Sequence, residues 1–434
     1  MRSTALGVAL VMLVGGGAAT GVGAAASTTP PYELLSVNSR EQAADDRTYD
    51  VDVSGTGRYV VFSSEGRNLS GKDARGDEGV TDIYLRDRRA GTTRLVSLAT
   101  NGRAATGASA SISPNGRFVA FCSYDPFIVK PDSFDLIGYE RDLDVFVRDL
   151  RTGVTRRAST DHRGKEADHG SCLPHVADNG DTVFGSLAGD LVQRDLGDTS
   201  THTFLYDWSS RKVRYLGGEG NPAPKGADIS GDARYVAFVD GHRRVAGDKN
   251  PGPDVYLLDR RTNRLSLATD RASGDPLTLG CAPFTDLSYD GRFLLVACHD
   301  GAIVDPPVAD GNTHLVVIDR RRDRRWLVNP SSVADPAPDL VDMSDDGRTV
   351  TFVGHLGSYG GLPDDEGAVY LWRRGHGLVN LTPGADDIWS LPGLAVSGDG
   401  SFVAFTTDSR TLSDQDPEDG TIQPQIDLFG VRVP

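Results

Sequence analysis

The sequence predicts an all-β protein: a seven-bladed β-propeller of four-stranded antiparallel blades, with the last blade closed by the N-terminal strand. Three observations predict it. A turn-centred hairpin recurs seven times down the chain. A second hairpin follows these copies. The final copy lacks one strand, and a segment near residue 33 matches the missing strand. The 51 glycines among 434 residues, without a G-X-Y period, fit a chain of tight turns.

The first hairpin reads VSGTGRYVVF from Val53, ISPNGRFVAF from Ile112, VADNGDTVF from Val176 and ISGDARYVAF from Ile229. It continues as LSYDGRFLLV from Leu287, MSDDGRTVTF from Met343 and VSGDGSFVAF from Val396. Asp-Gly and Asn-Gly between β-rich runs mark hairpins, because these turns need residues that tolerate positive φ. The second hairpin is clearest in DIYLRDRRAGTTRLVSL from Asp82, DVFVRDLRTGVTRRAS from Asp144 and DVYLLDRRTNRLSLAT from Asp254. Each repeat therefore supplies four strands, named a to d.

The anchor positions are Ser54, Ser113, Ala177, Ser230, Ser288, Ser344 and Ser397, so successive gaps are 59, 64, 53, 58, 56 and 53 residues. Four-strand units of roughly 40 to 50 residues are propeller blades, and a long b–c loop explains the extra length. The last copy has strands a, b and c (IDLFGVRV from Ile426). ELLSVNSREQAA from Glu33 matches the d segment RLVSLATNGRAA from Arg94. An N-terminal strand d in the last blade closes the ring and leaves no free sheet edge.

The Ser-x-Asp-Gly-Arg-x-Val-x-Phe segments, best seen in SPNGRFVAF and SDDGRTVTF, resemble the PD40 (WD40-like) repeats of the TolB family. The resemblance covers nearly all of the chain after its leader. It implies a propeller and no chemistry, and it extends only to the propeller part of that family.

Residues 1–26 read as a secretory signal peptide: Arg2, an apolar run from Leu6 to Val14, then Ala24-Ala25-Ala26 as the cleavage site. Residues 27–434 are then a single propeller, and the expected location is extracytoplasmic. No later stretch is apolar enough to span a membrane. A net charge of −16 with interspersed signs, and no basic stripe, argues against nucleic acid.

Four cysteines in an exported chain favour two disulfides. Folding the fifth hairpin about Asp290-Gly291 brings Cys298 within a residue or two of Cys281, bridging range if a bulge intervenes. Cys122 ends strand b of blade two and Cys172 precedes strand a of blade three, so the second predicted bond ties two blades.

Two groups of residues stand out on the face formed by the d–a and b–c loops. His242, His299 and His355 each follow strand b, and are candidates to line one ligand patch. His162, His169 and His175 lie near the same face with no metal-ligand spacing. Acidic loops offer candidate Ca²⁺ ligands: Asp248, Asn250 and Asp254; Asp73, Asp77 and Asp82; Asp414 and Asp416. Oxygen donors at alternate positions of a glycine-bent loop suit calcium.

There is no Gly-x-Ser-x-Gly elbow, so no catalytic residue is nominated. The expected function is a secreted, non-enzymatic binding or scaffold propeller, monomeric, presenting its loop face to a protein, peptide or glycan. The alternative is a secreted propeller enzyme, a polysaccharide lyase or glycosidase, using histidines and carboxylates of that face.

Overall fold

The computed structural model describes residues 32–71, 79–130, 142–193, 196, 200–217, 226–250, 252–271, 273–275, 277–308, 312–329, 333–334, 340–356, 367–383, 393–409, 412 and 426–433. The signal peptide expected over residues 1–26, and Asp73, Asp77, Asp414 and Asp416, lie outside these residues.

Seven antiparallel sheets follow one another around a ring. Blade one is Thr48–Val53, Tyr59–Ser64, Asp82–Asp87 and Thr92–Leu95, from strand a to strand d. Blades two to five repeat this order. Their a strands are Ala108–Ile112, Ser171–Val176, Ala227–Ile229 and Cys281–Leu287. Blade six adds a short strand, Val333–Ala334, which pairs with the end of strand b, Thr349–Leu356. Blade seven is Leu394–Val396, Phe402–Thr407 and Asp427–Arg432, completed by Glu33–Leu34. Glu33 pairs with Gly430 and Leu34 with Phe429, as the sequence match to strand d requires.

The a–b turns explain the repeat. The anchor serine Oγ accepts the N–H five residues on: Tyr59, Phe118, Tyr235, Phe293, Thr349 and Phe402. In the same turns Ser113, Ser230, Ser344 and Ser397 donate to Asn115, Asp232, Asp346 and Asp399. The turn residue with positive φ is glycine in six blades, Gly291 at 61° among them, but Ala233 in blade four, at 60°. The arginine after the turn reaches the aspartate ending strand c: Arg58–Asp87, Arg117–Asp149, Arg234–Asp259 and Arg292–Asp319 are 2.6–2.9 Å apart.

Both faces of the b and c strands are buried. The apolar side chains form seven clusters, each filling the space between two neighbouring blades. One holds Leu35, Phe402 and Leu428 of blade seven against Val53, Phe62 and Tyr84 of blade one, so the closing strand enters the ring's core.

Both disulfides form as the spacing predicts, and no described cysteine is free. Cys281 sits opposite Cys298, with the register shifting between Cys281 and Thr285. That shift is the bulge the bond needs. Cys122–Cys172, with Cα atoms 5.4 Å apart, joins strand b of blade two to strand a of blade three.

Candidate functional site

The inner strands define the axis of the ring. In each strand a, the residue before the anchor position is a buried aliphatic: Val53, Ile112, Val176, Ile229, Leu287, Met343 and Val396. Strand alternation turns the preceding residue to the other face of the innermost strand, toward the next blade. Those residues are Asp52, Ser111, His175, Asp228, Asp286, Asp342 and Ala395.

Most of them staple the next blade. Asp52 Oδ2 accepts Ile112 N at 2.7 Å, Ser111 Oγ accepts Val176 N at 3.4 Å, and Asp228 Oδ2 accepts Leu287 N at 2.7 Å. Asp286 Oδ2 accepts Met343 N at 2.8 Å and Asp342 Oδ2 accepts Val396 N at 2.6 Å. His175 Nδ1 lies 3.4 Å from Asp228 Oδ1. Burial pushes the Asp228 carboxyl up to about 7, and the Asp342 charge adds to the rise. The raised Asp228 carboxyl therefore lies beside the His175 ring at the inner strands of blades three and four.

At the turn end the axis is bridged. Gly55 N donates to Pro114 O, Asp178 N to Gly231 O and Asp232 N to Tyr289 O. Tyr289 N donates to Asp345 O, Asp345 N to Gly398 O and Asp399 N to Gly55 O. Pro114 has no N–H, so Asn115 N donates to the Asp178 carboxylate instead, at 2.8 Å. Every a–b turn is thus bonded to the next, around the whole ring.

Side chains reach across this circle. Tyr289 of blade five donates to Asp178 Oδ2 of blade three at 2.9 Å. Its ring covers Gly231, where a Cβ would come within 2.4 Å of it. Asp345 of blade six lies against Gly398, where a Cβ would stand 1.8 Å from Oδ2, so this position accepts only glycine. Burial pushes the Asp345 carboxyl up to about 6, with Asp178 and Asp52 contributing charge.

The histidines expected to line a ligand patch have these surroundings. The His242 ring is 61% exposed and lies 3.6 Å from Asp240 of its own blade. His299 is exposed, with Nδ1 3.3 Å from Thr313 Oγ1, also in its own blade. His355 lies in strand b of blade six, opposite Ala334. Of the other histidines, His162 and His169 are exposed near Asp190 and Asp168, whereas His175 lies beside Asp228.

Asp248, Asn250 and Asp254 do come together. Asp254 is buried: Oδ1 accepts Thr269 Oγ1 at 2.8 Å and Oδ2 accepts Asn250 Nδ2 at 2.7 Å. Asn250 Oδ1 accepts Gly252 N, and Asp248 Oδ2 accepts the Tyr256 hydroxyl. Burial pushes Asp254 up to about 6, and the neighbouring Asp248 adds to it. Asp248 Oδ1 is buried without a hydrogen-bond partner. Asp82 begins strand c of blade one and is buried. Among the described residues no group of three or more His, Cys, Asp or Glu side chains is arranged to hold a metal ion.

Sequence reasoning passed over these inner-strand residues, although a signal was present. In the d–a–b register, the position two before the anchor is polar in six of the seven copies. A polar residue alternating with buried aliphatics in an innermost strand meets the innermost strand of the next blade.

No protein-family model matches the chain, and no curated protein does. Among solved structures it is similar to the propeller domain of the Trilobed protease from Pyrococcus furiosus. The identity is 13% and the TM-score 0.52, over 87% of this chain and 99% of that one. It is similar to oligogalacturonate lyase from Vibrio parahaemolyticus at 13% identity and TM-score 0.51, over 94% and 95%. TolB from Acinetobacter baumannii matches at 15% identity and TM-score 0.36, over 64% of this chain and 53% of that one, so the chain spans about half of TolB's length. The fold class is a seven-bladed β-propeller. Neighbours of such mixed activity define the fold and leave the chemistry to the site. Two disulfides are consistent with an extracytoplasmic setting, and no described helix is long and apolar enough to cross a membrane.

Proposed function

We propose that the chain is a secreted, non-enzymatic binding propeller that engages a protein, peptide or glycan through the face made by its d–a and b–c loops. One observation carries this reading: the turn-side end of the axis is bridged by bonded turns and by Tyr289 and Asp345. A ligand approaching the axis then does so from the loop face. The inner-strand carboxylates support the same reading. Asp52, Asp228, Asp286 and Asp342 each give one oxygen to the backbone of the next blade. Such residues hold the ring together first.

Calcium belongs to this reading as an addition at the blade-four loop, where Asp248 Oδ1 is the open acceptor. Titration against a chelated control, read by heat and melting temperature, tests it. No response ends the idea.

One observation favours a second reading, a propeller lyase or glycosidase. The Asp228 carboxyl, raised by burial, lies 3.4 Å from His175, and a general acid or base needs a pKa near working pH. The Vibrio neighbour that spans the same length is an oligogalacturonate lyase.

Glycan and peptide arrays probed with the purified chain, run beside lyase and glycosidase assays, decide between them. Binding without turnover is expected. Turnover abolished by His175→Ala or His299→Ala would overturn the binding reading.

A further inference from the structure

The residue after strand c is an arginine in four blades: Arg88, Arg260, Arg320 and Arg374. Three of them cap the carbonyl of their own a–b turn. Arg88 Nη1 donates to Gly57 O at 2.7 Å, Arg260 Nη1 to Ala233 O at 2.5 Å, and Arg320 Nη1 to Gly291 O. Arg374 departs from this pattern. Its guanidinium carbon lies 4.7 Å from the ring centres of both Phe293 and Trp326. It makes no side-chain hydrogen bond and no ion pair among the described residues. Burial lowers its pKa, as expected of a guanidinium with no carboxylate of its own.

This arginine lines a cavity of about 880 Å³ between the turns of blades five and six, on the face opposite the long loops. The other arginines there divide into two groups. Arg292 is held by Asp319 at 2.6 Å and Arg348 lies 3.6 Å from Asp346. Arg322 and Arg324 are exposed, line the same cavity and have no ion pair among the described residues. Three uncommitted guanidiniums thus converge on one concave site, in a chain of net charge −16.

We propose that this cavity binds an acidic saccharide, whose carboxylate or sulfate is received by Arg374, Arg324 and Arg322. Planar guanidinium donors match such oxyanions in two-pronged fashion. Asp290, Asp346 and the exposed Tyr289 on the same rim supply acceptors for sugar hydroxyls. A polyacidic peptide is the poorer fit: it brings more negative charge to those aspartates and no hydroxyl donors. The site is separate from the loop face, so it stands or falls independently of the function proposed above.

The test is calorimetric titration, in low-salt buffer, of the folded chain with four probes. These are a uronic-acid tetrasaccharide, a sulfated tetrasaccharide, a neutral tetrasaccharide and a hexaglutamate peptide. One or both acidic saccharides should bind, with the neutral sugar and the peptide at least about tenfold weaker. Which acidic probe binds tells carboxylate from sulfate. Arg374→Gln and Arg324→Gln should each weaken binding by at least about tenfold, and Arg261→Gln, on the turn of blade four, should not change it. Arg324 is exposed, so its variant keeps the test decisive if Arg374→Gln fails to fold. Three results would overturn the proposal: neither acidic saccharide binding, folded arginine variants binding like wild type, or the peptide binding as tightly as the sugars.

Discussion

Ser36 Oγ donates a 2.8 Å hydrogen bond to Asp427 Oδ1, joining residues 391 positions apart. The same bond occurs inside continuous blades, as Ser159 to Asp144 at 2.6 Å and Thr269 to Asp254 at 2.8 Å. In each case the hydroxyl also accepts the N–H of the next strand-c residue: Leu428, Val145 and Val255. The N-terminal segment therefore fills the strand-d position of blade seven, side chain for side chain. Ser36 and Asp427 are both buried. Ser36→Ala should cost about 1–3 kcal/mol, because it removes a buried hydroxyl that both donates to Asp427 and accepts from Leu428 N. Denaturant unfolding of Ser36→Ala beside Ser159→Ala measures it. A loss at Ser36 below the error of that experiment would mean the closing strand does not stabilise the ring.

The disulfides should differ in effect. Cys281–Cys298 closes 17 residues and Cys122–Cys172 closes 50. Chain entropy assigns them about 3 and about 4 kcal/mol. Replacing each pair by alanine and comparing unfolding should show the larger loss for Cys122 and Cys172.

Ala233 occupies the left-handed turn position that glycine fills in the other six blades. An L-residue there costs roughly 1–2 kcal/mol. Ala233→Gly should raise stability by up to about 1 kcal/mol, the greater freedom of the unfolded glycine and a lost buried methyl taking the rest. Thermal unfolding is the measurement, and a destabilised variant refutes the strain argument.

Stability should fall as pH rises from about 4 toward 7. Burial raises Asp228 to about 7 and Asp254 and Asp345 to about 6, from 3.8. A carboxyl raised on folding stabilises most below its unfolded pKa and loses that contribution as pH climbs through the folded one. Asp149 runs the other way: Arg117 holds it down at about 2, so its contribution is present above 3.8 and fades in stronger acid. Asp228→Asn keeps an acceptor for Leu287 N and should flatten the slope between pH 4 and 7. An unchanged slope in urea midpoints across that range would remove Asp228 as its source.

Most of the architecture was legible in the residues. Period-two apolar runs, positive-φ turns and the match of Glu33 onward to Arg94 onward are local signals, and local signals decide hairpins. The Cys281–Cys298 pairing followed from counting around one turn. The site was less legible. GDKNPGPD shows the oxygen donors Asp248, Asn250 and Asp254, but not that Thr269, from the strand-d side, also donates to Asp254. The repeat position of His242 and His299 is plain in the sequence, but their contacts with Asp240 and Thr313 are not.

The sequence alone therefore determined the blade count, the closure and the disulfides, since each depends on neighbours within a hairpin or on one repeat matched to another. Only the tertiary structure decided what meets between blades. Asp228 and Leu287 are 59 residues apart and Tyr289 and Asp178 are 111 apart, and a single ring curvature brings both pairs into contact. That curvature comes from seven apolar interfaces packing together, which no local pattern encodes.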